Sequence, residues 1–282
     1  MGTIAITGAT GFIGSHLMGH FQKKGNKIIT LQRVVPTKKI EGIVYRLYDL
    51  QKKCDDSLLS DVDLLIHCAY APRSFDINVH AAKELFALAH KNNTNIVFIS
   101  SFSAHADAIS EYGKQKYAIE QILDPTKHLI IRPGLVIGNG GLAQSMITYA
   151  KNKNIVPLIN GGTQPIQSIY INDLARAIDI ALEKNTTGTL SLAEEKPVTY
   201  KEFYTLIYAS LKRKPIFVSV PYFVMNSVLS ITSLLLIHLA ITKENLLGLK
   251  MLRFVNTKPS VQQLGITLKT TSESLKALLN NE

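Results

Sequence analysis

Tyr112 and Lys116 stand four residues apart in YGKQK, and Ser101 ends the run NIVFISS eleven residues before Tyr112. On a helix, a spacing of four puts the phenol and the ammonium on one face. A phenol ordinarily titrates near ~10. A neighbouring ammonium favours the phenolate and lowers that value. A second cation beside the phenol would lower it further. The pair can then exchange a proton with a carbonyl or alcohol near neutral pH. A serine at the end of the preceding strand can hold the same oxygen by a hydrogen bond, with Ser103 as the alternative to Ser101.

A second constellation opens the chain. TIAITGATGFIGSHL (residues 3–17) reads as a short buried strand, a tight turn and the start of a helix. Ile4 and Ile6 suit a parallel strand. Gly8, Gly11 and Gly14 follow at intervals of three. The first fits a turn that a side chain would block. The second lets the backbone approach an anion, and the third lets helix and strand pack closely. Free N–H groups at the helix start would hold a pyrophosphate. Phe12, Ile13, Leu17 and Phe21 give the helix its apolar face. The motif gains weight from this strand–turn–helix context.

The elements that must position these groups alternate. Strands are predicted over Lys27–Arg33, Ile43–Tyr48, Asp63–Cys68, Asn95–Ser101 and Lys127–Pro133, with helices after residues 12, 75 and 112. Alternation implies a parallel sheet with right-handed crossovers. Ligands of such sheets bind at the carboxyl ends of the strands. Gly8, Arg33, Asp49, Ala69, Ser101 and Pro133 all fall there. The second strand ends in Gln32-Arg33 rather than in the acid that takes a ribose 2′-hydroxyl. Arginine there suits a 2′-phosphate, so NADP is favoured over NAD, with Lys38 and Lys39 close by in sequence. His67 lies in an apolar run and is read as a satisfied core histidine.

Composition bounds the rest. The 282 residues, 46% hydrophobic and 18% charged, are globular in type. A net charge of +10 fits phosphate-rich ligands, nucleic acid or an anionic membrane. The cations are dispersed and no nucleic-acid motif appears, so no nucleic-acid partner is expected. Cys54 and Cys68 are too few for a disulfide framework and lack metal-site spacing, so no metal site is read and a reducing cytoplasm is expected. The opening residues lack a basic n-region, which predicts no signal peptide.

Beyond Gly138 the alternating rhythm weakens. A helix is predicted over Asn172–Lys184 with Asn172 as cap, and Thr199 with Glu202 fits a capping box. Pro215–Thr242 carries no charged residue. It is long enough to span a bilayer, but Pro221 and several polar residues interrupt it. An apolar lobe helix is favoured there; a membrane-surface contact is possible but not expected.

Taken together, these motifs resemble the extended short-chain dehydrogenase/reductase family, of the NAD-dependent epimerase/dehydratase type that acts on nucleotide sugars. The matching residues are TGATGFIG (7–14), Asp49-Leu50, IHCAYAP (66–72), Asn78-Val79, ISS (99–101), YGKQK (112–116) with Glu120, RPGLVIG (132–138), SIYINDLARAI (168–178) and VNTKPSVQQLGI (255–266). The resemblance implies a Rossmann-like doubly wound parallel sheet over residues 1–186, with 142–164 contributing to a smaller mixed α/β substrate lobe formed by 187–282. It makes Tyr112 the general acid/base. Lys116 becomes the ribose-binding partner that lowers the phenol, and Ser101 the group that orients the carbonyl. Gly8, Gly11, Phe12, Ile13 and Gly14 cradle the pyrophosphate. Asp49 and Leu50 lie near adenine, Ala69 and Ala71 line the ribose and nicotinamide path, and Pro133 borders the nicotinamide. A homodimer through the helices holding Lys83 and Tyr112 is implied as well. Lys212, Arg213, Lys214, Lys250 and Arg253 are candidate cations for a substrate diphosphate. Two departures concern the substrate. His105 stands where the family often has tyrosine, and the segment 102–111 is short. The reading is an NAD(P)-dependent reductase of a 4-keto sugar nucleotide. The alternatives are a sugar-nucleotide epimerase or dehydratase, or a non-catalytic NADP-binding module.

Overall fold

The computed structural model describes residues 2–72, 74–225, 227 and 243–279. In chain order the elements are β1 (Thr3–Thr7), α1 (Phe12–Lys23), β2 (Lys27–Gln32), β3 (Ile43–Leu47), β4 (Leu64–His67), α2 (Phe75–Lys91), β5 (Asn95–Ile99), α3 (Glu111–Glu120) and β6 (Leu129–Pro133). Then follow β7 (Leu135–Ile137), α4 (Gly141–Asn152), β8 (Ile155–Ile159), β9 (Pro165–Ile166), β10 (Ser168–Tyr170), α5 (Ile171–Glu183) and β11 (Gly188–Leu192). The chain closes with β12 (Val198–Thr199), α6 (Tyr200–Ser210), β13 (Ile216–Val220), α7 (Lys243–Lys250), α8 (Lys258–Leu264) and α9 (Thr271–Leu279).

Two compact units are formed. The first takes residues 1–106, 111–132 and 175–190; the second takes 107–110, 133–174 and 191–282. The first unit is a doubly wound α/β layer. Its sheet runs β11-β6-β5-β4-β1-β2-β3, the last residues of β6 and β11 belonging to the second unit. β1 pairs in parallel with β2 and β4, β2 with β3, and β5 with β4 and β6. Strand order reverses between β1 and β4, the point where such sheets open a crevice at their carboxyl edge. The central strands are apolar on both sides because helices cover both faces. Ala5, Leu65 and Phe98 pack with Leu85 and Phe86 of α2 in one cluster.

Several strands stop a residue or two short of their predicted ends. Cys68 and Ser101, for instance, lie beyond the ladder. The cause is local: the Cys68 N–H leaves the sheet and donates to the Thr7 hydroxyl instead (3.1 Å). Asn172 sits inside the first turn of α5 rather than capping it, because β10 runs directly into the helix at Ile171. The Thr199–Glu202 capping box is formed in both directions, at 3.1 and 2.7 Å.

The second unit has no large sheet among its described residues. Three two-stranded pairs, β7 with β10, β8 with β13, and β9 with β12, surround a core built by α4, α6 and α9. Phe203, Ile207 and Tyr208 of α6 are completely buried in it. Polar ties hold distant segments: Gln167 exchanges hydrogen bonds with the Val255 backbone (2.8 and 3.0 Å), and Glu194 accepts from the Thr271 N–H (3.0 Å). Most of the charge-free stretch 215–242 lies outside the described residues, namely 226 and 228–242. Among the described residues, no helix is long and apolar enough to cross a membrane.

Candidate active site

The turn after β1 has little freedom. Gly8 adopts φ +65, and a Cβ there would meet the Ala69 backbone nitrogen at 2.9 Å, across the switch point. A Cβ on Gly14 would lie 2.2 Å from the Gly8 carbonyl oxygen. Both positions therefore require glycine. Gly11 closes the turn through its N–H to the Gly8 oxygen (2.9 Å) and starts α1 with no side-chain cap and no acid in the first turn. The helix-start N–H groups at Phe12 and Ile13 thus keep their capacity for an anion. This cradle fits the pyrophosphate of a dinucleotide.

One hydroxyl that the sequence reading did not single out builds the floor. Thr7, fully buried, accepts from the N–H groups of Cys68 and Ala69 (3.1 Å each) and lies 2.9 Å from His67 Nδ1. With both lone pairs engaged, the hydroxyl proton goes to Nδ1. His67 is then neutral, which agrees with burial, aided by Lys116, driving its pKa down to about 3. It is a satisfied core histidine, as its sequence context suggests.

Asn78 on α2 does for the next loop what Thr7 does for the strand ends. Its side chain pairs with both the N–H and the carbonyl of Ala71 (2.8 and 2.7 Å) and donates to Gln115 Oε1 (3.1 Å). Gln115 lies between Tyr112 and Lys116, so one buried amide ties the 69–71 loop to α3. Tyr70 meets the Tyr112 ring edge-on at 5.1 Å.

Ser101, Tyr112 and Lys116 come together at the carboxyl end of β5. The Tyr112 hydroxyl is hydrogen-bonded with Ser101, whose Oγ also accepts from the Ser103 N–H (3.1 Å). Ser101 rather than Ser103 therefore faces the phenol. Lys116 is 4% exposed, and its ammonium donates to the Ile99 carbonyl (2.7 Å) and lies 5.8 Å from the Tyr112 ring centre. Burial pushes its pKa down to about 8, while Cys68 and Glu120 pull it upward.

The phenol itself departs from the sequence expectation. Burial raises the Tyr112 pKa, and the Ser101 hydrogen bond opposes that rise. The Lys116 ammonium donates to the Ile99 carbonyl and not to the phenol oxygen.

Behind Lys116 stands a buried ionic brace. Glu120 accepts from the Ser100 hydroxyl (2.5 Å) and from Arg132 Nε (2.8 Å), with a second, shorter contact to Arg132 Nη2. It thereby links α3 to the ends of β5 and β6. Its spacing of four from Lys116 was a signal already present in the sequence.

The remaining sequence candidates are placed as follows. Arg33 is exposed just past β2, as are Lys38 and Lys39. Asp49 and Leu50 follow β3, with Asp49 capping the Gln51 N–H (3.0 Å) and Leu50 leaning on the core. Pro133 ends β6 and belongs to the second unit. Of the proposed diphosphate cations in that unit, Arg213 is taken up by the Ala150 carbonyl (2.5 Å) and Asn154 Oδ1 (2.6 Å), and Arg253 pairs with Asp107 (3.4 Å).

A family model described as "NAD dependent epimerase/dehydratase family" matches residues 4–192. Among curated relatives, subunit 9 of the mitochondrial NADH dehydrogenase alpha subcomplex of Arabidopsis thaliana is 25% identical over 77% of this chain, and the match spans 60% of that protein. A ceramide reductase of Caulobacter vibrioides is 24% identical over 68% of this chain and 65% of its own length. Among solved structures, MoeE5 in complex with UDP-glucuronic acid and NAD superposes with a TM-score of 0.76 at 19% identity, covering 99% of this chain and 98% of that one. At that identity the likeness is one of fold.

Proposed function

This chain belongs to the NAD-dependent epimerase/dehydratase family, and from that membership we propose that it reduces the keto group of a 4-keto sugar nucleotide. It is an enzyme of the extended short-chain dehydrogenase/reductase type. The observation that carries the reading is the gathering of Ser101, Tyr112 and Lys116 beside the glycine cradle.

A dinucleotide held there would supply the hydride for the carbonyl carbon. Ser101 donates a hydrogen bond to the carbonyl oxygen and so orients it. Tyr112 gives its proton to that oxygen, and the product is the alcohol. A phenol held protonated by burial suits this acid role in the reductive direction. Lys116, charged below about pH 8, stabilises the phenolate left behind. Gly8, Gly11, Phe12, Ile13 and Gly14 would hold the dinucleotide's pyrophosphate, and Asn78 fixes Ala71 of the loop that would line the ribose path. Arg33 takes a 2′-phosphate, which makes NADP the proposed cofactor. The second unit carries the substrate lobe. The active form is a homodimer joined through α2 and α3.

Tyr112→Phe should lower turnover by about 10²–10⁴-fold and leave dinucleotide affinity intact; unchanged turnover would sink the mechanism. Titration with NADPH and NADH tests Arg33. NADPH should bind at least about tenfold tighter, roughly 1.4 kcal/mol, and Arg33→Ala should remove that margin. NAD retained through purification would turn the reading to an epimerase or dehydratase. Binding of neither dinucleotide would overturn it.

A second reading replaces the sugar by a lipid carbonyl. The charge-free stretch 215–242 supports it, since a nucleotide diphosphate calls for cations. The relative named ceramide reductase supports it as well. A panel of keto sugar nucleotides and keto lipids assayed side by side separates the two.

A further inference from the structure

The β8–β13 pair in the second unit turns an apolar face outward. The strands run parallel with Ile216 opposite Ile155 and Val218 opposite Pro157. Side chains alternate along a strand. Val156 and Leu158 accordingly point into the core, whereas Ile155, Ile216 and Val218 are 56%, 59% and 45% exposed. Just past β13, Phe223 is 71% exposed.

The rim of this face has one sign. Both strands start beside exposed lysines: Lys153 before β8, Lys212 and Lys214 before β13. Arg213 fastens the two starts together through Asn154 Oδ1 (2.6 Å) and the Ala150 carbonyl. No Asp or Glu occurs between Asp124 and Asp173, or between Glu202 and Glu244. The cations therefore stand unopposed by any acid of these stretches.

We infer that this face docks the protein on an anionic phospholipid surface. Branched aliphatic and aromatic side chains enter the boundary between headgroups and acyl chains, and lysines reach the phosphates with their stems laid along apolar surface. A protein partner fits less well, because lysine is depleted at protein–protein interfaces. The inference goes beyond the proposed reaction and does not depend on it.

The test is flotation of the full chain with vesicles of phosphatidylcholine alone or mixed with phosphatidylglycerol, at low and high salt. Dinucleotide binding is measured on the same preparations, so failure of docking and failure of the proposed reaction read out separately. Binding to the mixed vesicles that weakens with salt is expected. Lys212→Gln with Lys214→Gln should weaken it by roughly thirtyfold. Ile216→Ser with Val218→Ser should weaken it by about tenfold or more. Circular dichroism melting shows whether each variant stays folded. No vesicle binding, or binding that survives both pairs of changes, overturns the inference. A concentration-dependent dimer abolished by the same variants, without vesicle binding, overturns it too and gives the face to a second copy.

Discussion

The crevice of the first unit and the β8–β13 flank of the second are built on opposite terms. At the crevice each key polar group has a named counterpart: Thr7 with His67, Cys68 and Ala69; Asn78 with Ala71 and Gln115; Glu120 with Ser100 and Arg132. At the flank, apolar side chains face outward, and Arg213 and the Ile216 N–H tie the strand starts through the side chain and backbone of Asn154. The contrast separates two tasks. Positioning a reacting oxygen requires that side chains have one arrangement each. Receiving a variable or soft partner does not.

The second unit should yield first to loss of packing. Phe203 is completely buried in its core, and Phe203→Ala should cost about 3–5 kcal/mol, read as a fall in denaturant midpoint with dinucleotide affinity kept. Loss of affinity alongside stability would show that the two regions are not energetically separate. In the first unit the matching change adds an atom. Gly14→Ala sets a Cβ against the Gly8 carbonyl and should cost about 3 kcal/mol, at the upper end for overpacking. Here affinity should fall with stability, because the displaced turn is the pyrophosphate cradle.

A smaller and more specific effect comes from the ionic brace. Glu120 raises the Lys116 pKa, so its charge keeps the ammonium protonated. Lys116 loses its proton as pH rises through about 8, and turnover should decline along an alkaline limb near that value. In Glu120→Gln the limb should move to lower pH by about one unit, equivalent to about 1.4 kcal/mol. A general loss of activity with the limb unmoved would make Glu120 structural only.

The contrast also explains what was legible in the sequence. Gly8, Gly11 and Gly14 could be read because their constraint is local: a turn and a helix start within one short segment. Tyr112 and Lys116 could be read because one helix sets their spacing. Thr7 and Asn78 entered only as members of motifs that resemble a family, and their roles could not be read, since partners such as Ala69 and Gln115 lie 62 and 37 residues away and meet them only once β1, β4, α2 and α3 are packed. The direction of the Tyr112 shift was illegible for a related reason. Burial is a property of the folded surroundings, and here it outweighs the pull of a neighbouring group. In the second unit the β8–β13 pairing joins residues about sixty apart, and no turn motif announces it. Asn172 shows the converse: a good cap residue is overridden when a strand feeds straight into the helix.

Thr7 has one more consequence, in time rather than in space. Its oxygen is saturated by the amides of Cys68 and Ala69, and its proton is committed to His67. Those two amides are held by a buried hydroxyl, which slows their trade of hydrogen for deuterium. Their exchange should therefore be slow, although they border a ligand crevice. One buried hydroxyl thus makes the floor of the crevice a place where hydrogen exchange reports on the fold.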